Sequence, residues 1–475
     1  MPLISPQSSL QINIAMPSSQ RPINLLRGWP SPSLLPAPLL SAAAQRLLAD
    51  PAIYTPALQY GPDPGYQPLR EALAQWLGRF YRSSVPEDET TASRICITGG
   101  ASQSVANVLA TFTDPIVTKA IWVVAPCYYL ACPIYEDAGF HGRLRATPED
   151  EEGIDIEALE KSIQELEENE KRHGNVDQES PFKDTKKDRK FYRHVIYIVA
   201  TCANPSGKTM SLSRRESLVR LARKYDALII SDDVYEFLQW SLPPSTSPVT
   251  PLPRLCDIDR AMGIPSGGFG NAISNASFSK IVGPGVRTGW VQAPDAFITG
   301  LSHTGATCSG GAPSQLCAAV LSDLVHSGEL EKYVAETIRP ALRRRHQLMM
   351  DAIHQHLVPR GAEVRTSSLR GDNIYGGYFV WMTLDTNVTA ETIGRAALAE
   401  ENLIIGTGNM FEVKGDEKSA KFDKQIRLCF SWEPEGDLVE GVERLGRVLQ
   451  SIQDSPDRYL RNNQDQDQSF VNANK

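Results

Sequence analysis

The sequence predicts an α/β protein, with a mostly parallel sheet flanked by helices and a smaller α+β domain. Three observations predict it. Four short runs rich in β-branched residues, at 95–98, 121–124, 195–199 and 228–231, alternate with stretches of helical spacing at 102–112, 156–166 and 214–225. From about residue 330 the pattern changes to one long helical stretch through Ile353, strand-like runs at 376–382 and 426–430, and a helix over 390–400. A chain of 475 residues, 41% of them hydrophobic, has the length for more than one domain and for a large core.

Apolar residues at consecutive positions, with Gly, Pro or Asp at the boundaries, mark strands covered on both faces. Within 214–225, Leu218, Leu221 and Ala222 share one helical face. Strands separated by helices need crossover connections and therefore pair in parallel. Ligands of such sheets sit at the carboxyl ends of the strands. The expected organisation is a disordered tail over 1–22, an arm over 23–60 that joins the small domain, a large domain over 61–328, a small domain over 329–452 and a disordered polar tail over 453–475. Two insertions interrupt the large domain, the charged stretch 167–192 and the Pro-, Ser- and Gly-rich stretch 241–272. Both are expected as solvated loops.

Composition narrows the function. With 48 Lys and Arg against 56 Asp and Glu, the net charge is −8, which argues against broad binding to nucleic acid or anionic membrane. No run of 18 apolar residues occurs, so no membrane span is expected. The eight cysteines contain no CxxC, the closest pair being Cys127 and Cys132, so neither a zinc knuckle nor a redox motif is present. His354 and His356, two apart on a helical stretch, point to different sides, and no metal site is expected. A reducing, cytoplasmic setting suits this cysteine usage. The Ser-rich start, with no acidic residue before Asp50, only weakly suggests organelle import.

Four motifs at strand ends carry chemistry. Lys280, in Ser277-Phe278-Ser279-Lys280, lies between a strand and the turn Pro284-Gly285. Partial burial there destabilises an ammonium, and a neutral amine is what Schiff-base chemistry requires. Ser277 before it and Arg287 after it could bracket a phosphate. Asp232 and Tyr235, in Ser231-Asp232-Asp233-Val234-Tyr235, follow the run 228–231, where a carboxylate meets a ligand or, alternatively, caps a helix. Asn204-Pro205-Ser206-Gly207 ends another strand and also reads as a plain turn. Gly99-Gly100-Ala101-Ser102-Gln103 joins a strand to a helix, leaving backbone N–H groups free for a phosphate, although no Gly-Lys-Ser/Thr follows.

Taken together and in this order, these motifs resemble those of the class I/II pyridoxal-phosphate aminotransferases of fold type I, over about residues 24–448. The resemblance implies the following roles. Lys280 would form the Schiff base with pyridoxal phosphate and shuttle protons. Asp232 would pair with the pyridine N–H, with Asn204 and Tyr235 on the 3-oxygen. The backbone of Ala101 and Ser102, together with Ser277, Ser279 and Arg287, would hold the phosphate, and Tyr128 would stack on the ring. Tyr60 would reach the phosphate in the neighbouring subunit, which makes the protein a homodimer with shared active sites. Arg427 would grip the substrate α-carboxylate, with Gly28 as a backbone contact nearby.

The chain departs from the family pattern at Ala101, where many members carry a polar residue, and in its two insertions. The activity implied is transfer of an α-amino group from an amino acid to a 2-oxo acid by a ping-pong route. Placement near the aminoadipate, aromatic and kynurenine branch follows from features such as Gly376-Gly377-Tyr378-Phe379-Val380-Trp381. A lyase, decarboxylase or synthase on the same scaffold is the alternative, with a non-catalytic cofactor-binding protein behind it. The substrate side chain is not legible.

Overall fold

The structure, a computed structural model, describes residues 21–82, 90–172, 180–184, 186–242, 249–265, 267–364 and 374–461. The arm contributes β1 (Ile23–Asn24). The large domain follows with β2 (Ile95–Thr98), β3 (Ala120–Ala125), β4 (Leu144–Asp150), β5 (Gly153–Ile154), β6 (His194–Ile198), β7 (Ala227–Asp232), β8 (Gln239–Ser241), β9 (Ala272–Ser277) and β10 (Gly289–Gln292). All but β8 form one eight-stranded sheet in the order β2-β10-β9-β7-β6-β3-β4-β5. Every residue of β6, β7 and β9 is buried, as in a parallel sheet whose two faces are both covered. Strands β4, β3, β6, β7 and β9 run parallel.

Strand β10 is the exception that positions the site. It is antiparallel to both neighbours, with Gly289 opposite Thr98 on one side and Ser277 on the other. The segment entering β10 therefore arrives at the edge where the parallel strands end. A side chain at Gly289 has no room: a Cβ there would stand 2.4 Å from the Ala276 carbonyl oxygen and 3.1 Å from the Gly100 Cα.

The small domain has β11 (Ala362–Val364), β12 (Ile374–Gly376), β13 (Phe379–Leu384), β14 (Leu403–Ile404), β15 (Gly406–Thr407) and β16 (Gln425–Cys429). Four of these form an antiparallel sheet in the order β11-β13-β16-β15. The arm joins this domain, as expected, through the parallel pair β1–β14. The antiparallel pair β8–β12 ties the large domain to the small one. The long helical stretch is two helices, Glu329–Tyr333 and Arg339–His356, joined by a wider π turn at Val334–Ile338.

Three expectations need correction. The charged insertion is not all loop: residues 167–172 complete the helix Ile156–Arg172, and Glu167 and Glu170 pair with Arg193. Further on, Lys183 donates to the carbonyls of Leu109, Ala110 and Thr113, and Tyr192 is fully buried. The second insertion contains the helix Leu255–Ala261, with Arg254 and Asp257 buried as an ion pair. Charges dispersed along a sequence look solvated until their partners are known, and for Glu167 and Glu170 that partner is Arg193. The polar C-terminal tail begins later than 453, because Pro456–Arg461 is helical and the buried Tyr459 donates to Glu400. Most of the N-terminal tail (1–20) and the rest of the C-terminal one (462–475) lie outside the described residues, as do 173–179, 185, 243–248 and 266 within the insertions. The Gly289→Ala substitution should destabilise the fold by about 1–3 kcal/mol, read as a lower midpoint of urea unfolding with little change in slope.

Candidate functional site

A cleft of about 470 Å³ opens at the carboxyl edge of the large sheet, closed on its far side by the small domain and the arm. Of the thirteen residues singled out in the sequence, all except Tyr60 line it. Ten of them come from the ends of β2, β3, β6, β7 and β9 and from the turn before β10. Arg427 comes from β16 and Gly28 from the arm.

Asp232 is the last residue of β7, and burial defines its state. One carboxylate oxygen, Oδ2, accepts a 2.7 Å hydrogen bond from Tyr197. The other, Oδ1, is buried without a partner. Burial pushes its pKa up to about 6, against the smaller opposing pulls of the Tyr197 hydroxyl and the Lys280 charge. Lys280 lies just past β9, and its Nζ donates to the Gly28 carbonyl at 2.8 Å. Burial brings its pKa down to about 8, while Cys429 and Asp232 pull the other way. The amine is thus available as a neutral nucleophile near physiological pH.

At the other end of the cleft lies a cradle for an anion. Gly100, with φ +96°, turns the chain from β2 into the helix Ala101–Phe112, whose first turn has no side-chain cap. The positive φ of Gly100 disfavours any other residue there, and a Cβ would also stand 2.7 Å from an Arg287 guanidinium nitrogen. Arg287 donates to the Gly99 carbonyl, and the Ser277 and Ser279 hydroxyls lie 2.8 Å apart. A helix N-terminus, two hydroxyls and a guanidinium together suit a phosphate.

The third part is Arg427. Its guanidinium donates to the Asn204 side-chain oxygen at 2.6 Å and to the Leu26 carbonyl. The rings of Phe379 and Phe411 flank it, at 4.0 and 4.6 Å. No carboxylate pairs with it among the described residues, and burial draws its pKa down. Such a cation is suited to a carboxylate brought in by a ligand. Tyr128, raised to about 12 by burial, and Tyr235 stand between these parts. The donor set fits pyridoxal phosphate: an amine for its aldehyde, an unpartnered carboxylate oxygen for its ring N–H, and a cradle for its phosphate.

Sequence reasoning missed several contributors. Tyr197 holds Asp232; the parallel register, which pairs Ile198 with Ser231, brings the tyrosine beside that carboxylate. Tyr378 donates from its hydroxyl to the Lys280 carbonyl at 3.0 Å, and its ring centre lies 5.2 Å from Nζ. Arg27, Trp29 and Tyr129 complete the wall. An aromatic inside a strand gives no sign of its partner until the register is known. Tyr60 does not join the cleft of its own chain. It is 88% exposed and lies against Gly310, with Leu58 and Leu316 exposed on the same face.

The family model described as aminotransferase class I and II matches residues 36–445. An uncharacterized protein of Saccharomyces cerevisiae is 34% identical, over 90% of this chain and 97% of its own. Aromatic-amino-acid aminotransferase 1 of Thermococcus litoralis is 28% identical, over 90% of this chain and 88% of its own. Among solved structures, LysN, the α-aminoadipate aminotransferase of Thermus thermophilus complexed with N-(5'-phosphopyridoxyl)-L-leucine, superposes with a TM-score of 0.70 at 26% identity, covering 91% of this chain and 93% of that one.

The Asp232→Asn substitution tests the charge state of the cleft. Because the folded carboxyl titrates near 6, above its ordinary value, its contribution is favourable below about pH 4 and is lost as pH rises through 6. Cofactor-free Asp232→Asn protein should therefore be more stable to urea than the cofactor-free parent at pH 8, by up to about 3 kcal/mol. At pH 4 the difference should vanish.

Proposed function

The chain belongs to the class I and II aminotransferases and works with pyridoxal phosphate, and on that premise we propose that one cleft serves amino donor and 2-oxo acceptor in turn, a ping-pong route. The single observation that carries this is the convergence of Lys280, Asp232 and Arg427 on one cavity. With one buried fork for an α-carboxylate, donor and acceptor must occupy the same place at different times.

Each residue has a task that follows from its surroundings. Arg427, held by Asn204 and Leu26, binds the α-carboxylate through its two terminal nitrogens and fixes the direction of the Cα–H bond. Pyridoxal phosphate, when bound, supplies the electron-withdrawing ring that makes that bond acidic. Asp232 would accept from the ring N–H through its unpartnered oxygen and so favour the protonated ring nitrogen. Tyr235 and Asn204, both lining the cleft, would supply polar groups to the 3-oxygen. Lys280, neutral above about pH 8, takes the Cα proton and returns it, a role worth roughly 10²–10⁴-fold in rate. The phenyl rings around Arg427 exclude water, so the ion pair to substrate forms in a weakly screening medium. A lyase, decarboxylase or synthase on the same scaffold is not favoured, since the matched family and the named relatives are transferases.

The exposed apolar face around Tyr60, Leu58 and Leu316 supports a homodimer in which Tyr60 reaches the cradle of the second subunit. Eight unpaired cysteines support a reducing, cytoplasmic location, which cell fractionation would check.

The purified protein should be yellow, bleach with an amino donor and regain colour with a 2-oxo acid. Lys280→Ala should abolish both turnover and the borohydride-fixed pyridoxyl mass at that position. In the parent protein, the rate of Schiff-base formation by the cofactor-free chain should climb with pH and level off above about 8, because the ammonium below that pH is no nucleophile. Arg427→Leu should lower kcat/KM for amino donors about ten- to hundredfold. Mixing Lys280→Ala subunits with Tyr60→Phe subunits should restore one site of parental cofactor affinity per heterodimer; no restoration would mean that each subunit keeps its site to itself.

A further inference from the structure

The run Gly376-Gly377-Tyr378-Phe379 crosses from β12 to β13 at the boundary between the two domains. Phe379 lines the cleft, whereas Tyr378 beside it is fully buried. A buried phenol hydroxyl needs an acceptor, and Tyr378 finds one across the boundary, the Lys280 carbonyl at 3.0 Å. Its ring centre also lies 5.2 Å from the Lys280 Nζ, with the ring centre of Tyr235 at 5.9 Å. These two rings pack edge to face at 5.5 Å. One side chain of the small domain thus holds the main chain of the Schiff-base lysine and stands beside its amine.

Tyr378 is itself firmly placed. The Phe430 N–H donates to its carbonyl at 3.0 Å, and Arg345 donates in turn to the Phe430 carbonyl at 2.9 Å. The chain enters residue 378 pressed against the large domain, since a Cβ on Gly376 would stand 2.4 Å from the Leu238 carbonyl oxygen. The other hold on Lys280, from its Nζ to the Gly28 carbonyl, engages the reacting nitrogen and has to compete with that nitrogen's own chemistry. The Tyr378 hydroxyl engages the main chain instead and has no such competitor. A lysine reaches its target on a flexible four-carbon stem, so a proton delivered to one carbon depends on where that stem is rooted. Misplacement by about 1 Å can cost on the order of a hundredfold in rate.

We propose that Tyr378 is a positioning residue for Lys280: its hydroxyl roots the lysine's main chain and its ring confines the amine, so that the proton leaves and returns at a fixed point. This rests on the aminotransferase reading of the cleft. Phenylalanine at 378 would fill the same space and keep the ring beside Nζ, so the hydroxyl alone separates positioning from packing.

The test uses the holoenzymes of Tyr378→Phe, which loses only the hydroxyl, and Tyr378→Leu, which loses the ring as well. The maximal rate of bleaching by an amino donor should fall about three- to tenfold in Tyr378→Phe. In Tyr378→Leu it should fall roughly ten- to hundredfold, and in both variants the KM for the donor should stay near the parent's. A donor deuterated at Cα should show an isotope effect at least as large as in the parent, because proton transfer is the step that is slowed. A second reading needs no donor: the induced circular dichroism of the visible cofactor band, taken per mole of bound cofactor. It should drop in Tyr378→Phe and drop further in Tyr378→Leu, as the lysine holds the cofactor less rigidly. Parental bleaching rate and parental induced signal in Tyr378→Phe would overturn the assignment. So would a slower bleach with a smaller isotope effect, or a lower midpoint of urea unfolding with rate and signal intact, which is what packing alone gives. In each of these cases the colour still cycles, so the aminotransferase reading stands. A parent protein whose colour no donor bleaches would sink that reading, and this assignment with it.

Discussion

Asp232 has one carboxylate oxygen tied to Tyr197 and the other buried with nothing to bind. A buried anion without a partner is unfavourable, and the fold tolerates it only because β7 is the interior of an eight-stranded sheet, hydrogen-bonded on both sides. The same condition recurs in the cleft. Among the described residues Arg427 has neutral partners but no counter-charge, and Lys280 is bound to a carbonyl oxygen rather than an acid. These groups are held in readiness for charges that arrive with cofactor and substrate. The surrounding packing supplies the stability that the cleft itself withholds.

That reserve of charge depends on geometry that no single element provides. Five strand ends deliver side chains to one edge because the strands between β4 and β9 are parallel and β2 shares their direction. Arg287 reaches the same edge only because β10 runs against them, and because Gly100 and Gly289 leave room for the close approach of three segments. The arm crosses the opening and offers its carbonyls, at Leu26, Gly28 and Trp29, to Arg427, Lys280 and Ser431. Its side chains thereby become part of the wall.

The parts of the site that were legible were those whose chemistry is local. The amine of Lys280 beside a Pro-Gly turn, the acid of Asp232 at the end of an apolar run and the glycines before Ala101 each state their role within a few residues. Tyr197 and Tyr378 do not: each sits in an apolar or mixed run and acquires meaning only from a neighbour up to about a hundred residues away. The two insertions misled for a related reason. A stretch such as 167–172 reads as solvated when its charges are counted alone, whereas Arg193 shows it to be the end of a packed helix.

What the amino-acid sequence determined by itself was the alternation of strand and helix, hence a parallel sheet and the edge where chemistry gathers, together with the reactive groups at that edge. Hydrophobic periodicity and turn chemistry are short-range properties, so they can be read without coordinates. The tertiary structure alone decided which charges lack partners, which aromatic rings frame the cations and that Tyr60 belongs to a surface rather than to the cleft of its own chain. Those outcomes depend on strand register and on contacts between remote segments, and pairing between remote segments leaves no trace in local order.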